Sequence, residues 1–508
     1  MYIDYNKRIR IIAILLLKKR FILSKYILIY KVNKLIDYYN DNIKCEDIKI
    51  NNYKLDKEQI KAIYTDELIT LVAAGAGSGK TSLIVGKINY LIEKKSIKAS
   101  EILCLSFTNE AVNNLKRRLS YNVDVMTFHK LSLNILDNKY KINNNYLSYV
   151  IDEYFEGIAI HNKKILKILV NLIEKTNINK YNYYLNKGMF NYLKQTIKRF
   201  IELFIVNGKD INDFLKIKRY KKILMIIVDI YYLYISELNS KREVDLNGII
   251  TLSTKYVDKS KIKYKYIIVD EFQDISRVRM NLLMTLFNML KSKLLLVGDD
   301  YQSIYGFSGS NLESYLKIFR KKYTKVIYLK NNYRCSKEIV NISYKFIMKN
   351  KRQIKKEIIS NKSISNPIVI VDGNLESLIK YIGDKTILIL GRNNNDINNY
   401  IELSKLDEFN NVEYKTVHSA KGLESDVVII VNLEDNITGF PTQIKNSKVI
   451  DYVFPKERYE YAEERRLFYV ALTRTKSRVY IIKPHKTSVF LKEIIKDNKK
   501  NIAHLYLE

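Results

Sequence analysis

The segment 74–81 constrains the fold of this chain more than any other, because it has the pattern of an anion-binding loop. It reads Ala-Gly-Ala-Gly-Ser-Gly-Lys-Thr and lies between apolar runs at 68–72 and 83–88. The alternating glycines let successive backbone N–H groups turn toward one phosphate without a Cβ in the way. The pattern predicts a strand, a tight loop and a helix, with Lys80 on the β- and γ-phosphates of a nucleotide and the Thr81 hydroxyl on Mg²⁺.

Charge is the next informative property. The 508 residues include 87 Lys and Arg against 54 Asp and Glu, which gives a formal net charge of +33. Such an excess favours an anionic polymer as partner. The chain is also rich in Lys, Asn, Ile and Tyr, as expected from an AT-rich genome, so part of the charge is ordinary solvated surface. Charge alone therefore does not distinguish a nucleic-acid-binding surface from an ordinary solvated one.

Cysteine usage and hydropathy indicate the compartment. Cys45, Cys104 and Cys335 form neither a disulfide framework nor a metal-ligand spacing, which fits a reducing, cytoplasmic setting. We find no run of about 18 uncharged apolar residues and expect no membrane association. The apolar segment 11–17 runs into a basic cluster without a small-residue cleavage site, so it predicts a basic amphipathic helix rather than a signal peptide.

Domain boundaries have to be inferred from periodicity, since no proline precedes Pro367. Residues 1–50 are predicted to form a basic helical segment. Strands alternate with helices over 51–139 and again over 241–320, which predicts two parts of one α/β lobe. Residues 140–240 have long helical periodicity and are expected to form a helical insertion. Residues 321–508 are predicted to form a second α/β lobe that begins with a strand at 325–329.

A second element of phosphate chemistry lies at 266–271, where four apolar residues end in Asp270 and Glu271. The carboxyl end of a buried strand faces the ligand crevice of an open α/β sheet. Asp270 is predicted to hold Mg²⁺, and Glu271 to orient and deprotonate the attacking water. A strand that ends in Asp-Glu is weak evidence alone, but behind a phosphate loop it indicates nucleotide hydrolysis.

The segment 298–309, Gly-Asp-Asp-Tyr-Gln-Ser-Ile-Tyr-Gly-Phe-Ser-Gly, follows another apolar strand. Gln302 is placed to sense the γ-phosphate. Phe307 could be a buried core residue, but an aromatic ring in a loop between glycines is better suited to stack on a base.

Further motifs complete an ordered set at 55–60, 106–109 with Arg118, 127–129, 245–250, 332–334, 416–424 and 464–474. The set resembles the UvrD/Rep class of superfamily 1 DNA helicases from Leu55 to about Phe490, and within it the helicase IV type. The resemblance implies an α/β fold of two RecA-like parallel-sheet motor lobes with a helical insertion in the first. Only about 80 residues separate Arg334 from His418, which leaves room for a very small accessory insertion in the second lobe.

The resemblance implies an ATP·Mg²⁺ site between the lobes, with Gln59 reading adenine, Tyr333 stacking on it and Glu424 near the ribose. Arg334 and Arg474 would bring positive charge to the transition state when the lobes close. The implied catalytic residues are Lys80, Glu271, Gln302, Arg334 and Arg474. The other implied nucleotide contacts are Ala74, Gly75, Ala76, Gly77, Ser78, Gly79, Thr81, Ser82 and Arg118.

The resemblance also implies a single-stranded DNA site that comprises Phe107, Thr108, Asn109, Thr127, His129, Phe307 and His418. The two histidines could instead be polar core residues, which would be the preferred interpretation without the motif context. Ser308 stands where UvrD-type enzymes have an arginine, so the coupling contact of that arginine does not carry over directly.

The predicted function is an ATP-dependent DNA helicase or translocase that moves 3′ to 5′ on single-stranded DNA, in repair or recombination. Its partners would be single strands, single-strand/duplex junctions and repair or transcription proteins, in the cytoplasm with the nucleoid. An alternative is a nucleoprotein remodeller that displaces a protein such as RNA polymerase with little unwinding. A catalytically inactive binding module is disfavoured by the intact Lys80, Asp270 and Glu271.

Overall fold

The computed structural model describes residues 49–50, 53–159, 161–173, 189–209, 211, 221–321, 323–396, 398, 409–444, 447–454 and 457–507. The predicted basic segment 1–50 therefore lies almost wholly outside the described residues. At its end, Lys49–Ile50 pairs antiparallel with Tyr53–Lys54.

The first sheet has six parallel strands. The strands in chain order are β1 Ile69–Ala73, β2 Ile102–Ser106, β3 Asp124–Thr127, β4 Tyr266–Val269, β5 Lys293–Gly298 and β6 Thr324–Tyr328. Their spatial order is β6-β1-β5-β4-β2-β3. The central strands read as continuous apolar runs and are buried on both faces, as parallel sheets covered by helices require.

The first part of this lobe contains the helices α1 Lys57–Tyr64, α2 Lys80–Glu93, α3 Asn109–Arg118 and α4 Phe128–Ile135. Polar side chains cap three of them: Asp56 caps α1 in a reciprocal capping box, and Thr108 and Thr127 cap α3 and α4. Helix α2 begins after Gly79, which has no side chain to act as a cap. The three caps satisfy unpaired N–H groups of the first turn and so fix where the preceding loop ends.

The insertion is helical, as its periodicity predicts, and its ends meet where Lys141–Ile142 pairs with Glu243–Val244. Its apolar core includes Phe200, Ile227 and Tyr234, together with Ile450 from the second half of the chain. Its helices are α5 Tyr146–Tyr154, α6 Lys163–Ile173, α7 Met189–Val206 and α8 Lys221–Ser240.

Helix α8 is the one helix among the described residues that is long and apolar enough to cross a membrane. This is weak evidence for a span, because its residues Ile223, Ile227 and Ile230 are buried in the core of the insertion. The first lobe continues with α9 Leu246–Thr254, α10 Arg277–Leu290 and α11 Leu312–Phe319.

The second sheet is also six-stranded and parallel. Its strands are β7 Ile368–Asp372, β8 Ile387–Gly391, β9 Val412–Thr416, β10 Ser425–Ile430, β11 Thr475–Ile482 and β12 Ile502–Tyr506. Their spatial order is β9-β8-β10-β11-β7-β12. Its helices are α12 Lys337–Ile347, α13 Leu375–Ile382, α14 Ala462–Leu472 and α15 Val489–Asp497. The prediction of two parallel α/β lobes with a helical insertion in the first is confirmed.

One boundary differs from the prediction. Strand β6, which the sequence analysis assigned to the second lobe, pairs in parallel register with β1, with Thr324 opposite Ile69 and Tyr328 opposite Ala73. The first sheet therefore ends after residue 328 and not at 320. A strand–helix alternation cannot reveal this, since it does not specify which sheet an edge strand joins.

Candidate functional site

The phosphate loop leaves the carboxyl end of β1 and ends at Gly79, which lies at the N-terminus of α2 with φ of 77°. Gly77 also has a positive φ, of 67°. A Cβ on Gly77 would lie 2.7 Å from the Cβ of Arg334, and one on Gly79 would lie 2.5 Å from Nε2 of Gln59. Glycine is required at both positions by backbone geometry and by close packing. The loop is thus in contact with two of the residues predicted to bind ATP.

Gln59 and Tyr333 meet at one end of this loop. Nε2 of Gln59 donates to the carbonyl of Ser78 at 3.1 Å, and the Tyr333 amide donates to the carbonyl of Gly77 at 2.8 Å. The Tyr333 hydroxyl also donates to Oδ2 of Asp56 at 2.7 Å. Tyr333 is 49% exposed, so a ring face is open to a base. Asp56 was not predicted, although Asp three residues before Gln59 is a capping-box signal.

The acidic pair lies directly after β4. Lys80 Nζ is 3.4 Å from Oε1 of Glu271, and the Glu271 amide donates to Oδ1 of Asp270 at 2.8 Å. Glu271 has φ of 47°, a left-handed conformation that costs a non-glycine residue about 1–3 kcal/mol. Burial opposes ionisation of both carboxyls, but Lys80 and Lys421 outweigh it for Glu271 and lower its pKa to about 2. Burial and the charge of Glu271 raise the pKa of Asp270 to about 7.

The donor set around Asp270 fits Mg²⁺ bound jointly with a nucleotide. The described residues contain no cluster of three or more His, Cys, Asp or Glu that could hold a metal alone. Mg²⁺ typically takes one or two carboxylates and completes its octahedron with phosphate oxygens and water. Thr81, in the first turn of α2, and Asp270 are suitable for that role, and a bound cation would offset the burial of the Asp270 carboxylate.

Gln302 and Arg474, which are both predicted to lie near the γ-phosphate, connect the two lobes. Nη2 of Arg474 donates to Oε1 of Gln302 at 3.1 Å, and Nε of Arg474 donates to the Val470 carbonyl at 3.0 Å. Arg334 donates from Nε to Glu424 at 2.8 Å. Burial, followed by repulsion from Arg334, lowers the pKa of Arg474 to about 9. An anion bound near both guanidinium groups would relieve this repulsion.

A second connection between the lobes is formed by Lys421. Its Nζ contacts Oδ2 of Asp274 at 2.5 Å and the Gln302 carbonyl at 2.8 Å. Lys421 belongs to the motif at 416–424, but no role was predicted for it. The sequence did contain a signal for this pair. Lys421 and Asp274, the final residue of Asp-Glu-Phe-Gln-Asp, carry opposite charges and both lie within motifs.

The loop that carries Phe307 also contacts the second lobe. The Gly306 amide donates to Oε1 of Glu463 at 2.8 Å, and the Tyr305 hydroxyl donates to the carbonyl of His418 at 3.2 Å. Phe307 is 49% exposed, with its ring centroid 5.3 Å from that of His418 in an edge-to-face arrangement. The structure thus brings Phe307 and His418 together from different lobes.

The other predicted DNA contacts lie on the first lobe, where β2 and β3 end. The Thr108 and Thr127 side chains accept from the amides of Ala111 at 3.2 Å and Lys130 at 3.3 Å. Each threonine is therefore a helix cap. Thr108 and Asn109 are exposed, whereas Phe107 is half-buried.

Both predicted DNA-binding histidines are neutral at neutral pH. Burial, followed by repulsion from Arg279, lowers the pKa of His129 to about 4. Burial, followed by repulsion from Arg392, lowers the pKa of His418 to about 4. Nε2 of His129 is buried and has no hydrogen-bond partner among the described residues. A neutral imidazole can donate to or stack on a nucleotide, but it supplies no charge to a phosphate.

Among the described residues, no hydrogen bond connects Arg118 to the phosphate loop. It is exposed at the C-terminal end of α3 and donates to Oδ1 of Asn114 at 3.0 Å, one helical turn earlier. Its predicted approach to phosphate therefore stays a prediction.

The chain matches two family models in chain order. The UvrD/REP helicase N-terminal domain matches residues 55–324, which is more than half of the chain, and the UvrD-like helicase C-terminal domain matches residues 373–486. The chain belongs to the UvrD/REP helicase family. The predictions of the family and of an ATP-dependent DNA helicase are confirmed at this level.

Curated relatives agree with the family match. DNA helicase IV of Escherichia coli K12 is 26% identical over 484 residues, which cover 85% of this chain and 69% of the relative. ATP-dependent DNA helicase PcrA of Staphylococcus epidermidis is 29% identical over 58% of this chain and 40% of the relative. ATP-dependent DNA helicase Rep of Buchnera aphidicola is 28% identical over 65% of this chain and 49% of the relative. The chain thus spans less than half the length of the PcrA and Rep relatives.

Proposed function

We propose that this chain is an ATP-driven motor that moves 3′ to 5′ along single-stranded DNA and unwinds the duplex ahead of it, in DNA repair or recombination. ATP and Mg²⁺ are its cofactors, and it works on single strands and single-strand/duplex junctions, in the cytoplasm with the nucleoid. The direction of movement and the repair role derive from the family resemblance.

The contact between Arg474 and Gln302 is the observation that carries the proposal. The γ-phosphate would lie where Lys80 and Gln302 of the first lobe meet Arg334 and Arg474 of the second. Hydrolysis followed by release of the phosphate removes the negative charge that attracts both arginines, and this favours separation of the lobes. ATP turnover would thereby alternate closed and open arrangements.

The strand would be gripped at the opposite side of the same lobe junction. Phe307 offers an exposed ring, and base stacking on aromatic rings contributes about 1–3 kcal/mol per base. The ring belongs to the loop after Gln302, and Glu463 on α14 contacts Gly306. Because α14 runs directly to Arg474, one rigid helix connects the base-stacking loop to the γ-phosphate site.

The deciding experiment is the steady-state ATPase rate of the full chain with and without single-stranded DNA, with Glu271→Gln as the inactive control. We expect strong stimulation by DNA that the variant loses. Strand-displacement assays on duplexes with a 3′ or a 5′ single-stranded tail then test direction, and only the 3′-tailed duplex should unwind. Turnover that is indifferent to DNA would contradict the proposal and favour the protein-displacing remodeller.

A further inference from the structure

Lys356 is a fully buried lysine outside the motifs that place residues at the ATP site. It lies in the segment after α12, and its side chain and those of Asp299 and Asp300 are 0% exposed. Nζ of Lys356 contacts Oδ1 of Asp299, Oδ1 of Asp300 at 2.7 Å and the carbonyl of Ala74 at 3.0 Å. It also lies 3.7 Å from the centroid of the Tyr301 ring.

These contacts continue directly into the catalytic residues. The second carboxylate oxygen of Asp299 accepts from Nε2 of Gln302 at 2.7 Å. Because that amide nitrogen is bound to Asp299, the carbonyl Oε1 of Gln302 points the other way, toward Arg474. A single chain of polar contacts therefore runs from Lys356 through Asp299 and Gln302 to Arg474.

Stability alone is a poor reason to place a lysine here. Desolvation of a buried ion pair often exceeds the attraction between its charges, so an apolar side chain of similar volume can serve as well or better. Burial opposes the charge on Lys356, but Asp299 and Asp300 outweigh it and raise its pKa above the usual range. The ammonium group thus lies where it fixes both the carbonyl of Ala74 and the Asp299 carboxylate that orients Gln302.

We propose that Lys356 is a positioning residue for ATP hydrolysis, which sets the orientation of Gln302 through Asp299 and anchors the start of the phosphate loop at Ala74. The inference rests on the proposed role of Gln302 at the γ-phosphate. Lys356 does not touch the nucleotide, and its effect on turnover passes through Gln302.

The test compares Lys356→Met with Lys355→Met, a matched control because Lys355 is the adjacent lysine and is exposed. Steady-state ATPase is measured with saturating single-stranded DNA for both variants, for Gln302→Ala and for the double variant Lys356→Met/Gln302→Ala. We expect Lys356→Met to lower kcat by about tenfold or more, while Lys355→Met stays within about twofold of the native rate. Residues that act as a unit are not additive, so the double variant should lie within about threefold of Gln302→Ala.

A second variant distinguishes the loss of a positioning contact from a failure to fold. Lys356→Met leaves two buried carboxylates without their cation, whereas Lys356→Met/Asp300→Asn keeps the formal charge of the cluster at its native value and leaves Asp299 intact. Circular dichroism checks that each variant folds. The single variant Asp300→Asn is the control for the charge-balanced variant. We expect the charge-balanced variant to fold and still to have reduced kcat.

Native kcat in the charge-balanced variant, or losses in Lys356→Met and Gln302→Ala that multiply in the double variant, would overturn the inference and leave the proposed function intact. ATP turnover that is indifferent to DNA would overturn the proposed function and leave the inference intact, whereas a native chain that hydrolyses no ATP would overturn both.

Discussion

Lys421 of the second lobe and Asp274 of the first form an ion pair at 2.5 Å between side chains that are 6% and 4% exposed. Asp274 lies three residues after Glu271, and Lys421 lies three residues before Glu424. The pair therefore joins the segment that is predicted to activate water to the segment that contacts Arg334. Separation of the lobes would have to break it, so its strength bears directly on how readily the site opens.

We expect Lys421→Met to lower the DNA-stimulated ATPase rate by about tenfold, because the buried Asp274 carboxyl would lose the cation that joins it to the second lobe and would take up a proton beside Glu271. Burial already raises the pKa of Asp274 to about 6 despite the opposing effect of Lys421. The control is Lys415→Met on β9, a more exposed lysine that pairs with Glu413 at 3.3 Å. Equal rates for both variants would show that the pair is dispensable.

We expect Glu271→Gln to keep ATP binding and to lower the hydrolysis rate by about 100-fold or more, since a general base contributes typically 10²–10⁴-fold. The substitution removes the charge 3.4 Å from Lys80, which leaves that ammonium free for phosphate. Binding of a fluorescent ATP analogue and steady-state hydrolysis measure the two properties separately. Lys80→Ala, which removes the phosphate contact itself, should lose binding and is the contrasting control.

The positions of the phosphate loop and the acidic pair could be predicted because each is set by local pattern. The apolar run before the loop has the length of one strand, and glycines at 77 and 79 have the positive φ that the motif requires. Asp270 and Glu271 follow a strand that is buried along its whole length. In such cases the chemistry and the local structure are specified by neighbouring residues.

Long-range pairing could not be predicted in the same way. Lys421 and Asp274 are 147 residues apart, and Lys356 and Asp299 are 57 apart. Which lysine among many meets which carboxylate depends on how the two sheets face one another, and no periodicity encodes that. The same limit explains why β6 was assigned to the wrong lobe. Single sequences indicate strands well, but not the sheet that an edge strand completes.

We expect Phe307→Ala to weaken binding of single-stranded DNA by about five- to 150-fold, because the ring can stack on one base for about 1–3 kcal/mol. Fluorescence anisotropy with a labelled oligonucleotide measures this at fixed salt, since phosphate contacts depend strongly on ionic strength. Tyr381→Ala is a suitable control, as this ring is 58% exposed on the second lobe. Equal affinities for the two variants would show that Phe307 does not contribute to DNA binding.

Burial of His129 should make stability fall on acidification. In the folded state the pKa of His129 is about 4, whereas in the unfolded chain it has the ordinary value of 6.5. Between pH 4 and pH 6.5 the unfolded state therefore binds more protons than the folded state. Stability associated with the neutral ring is therefore fully present above pH 6.5 and is lost as the pH falls toward 4. Between pH 7 and pH 5, protonation linked to His129 should lower the free energy of unfolding by about 2 kcal/mol.

His129→Gln isolates that contribution, since the amide is polar and does not titrate. Urea unfolding of the native chain and the variant at pH 7 and pH 5, followed by fluorescence of the tyrosines, gives the difference in stability at each pH. Other carboxyls and His418 titrate in both proteins and cancel in that difference. We expect the variant to gain about 2 kcal/mol relative to the native chain at the lower pH. A difference that does not change with pH would mean that His129 titrates in the folded state as it does in the unfolded chain, and that burial does not hold its ring neutral.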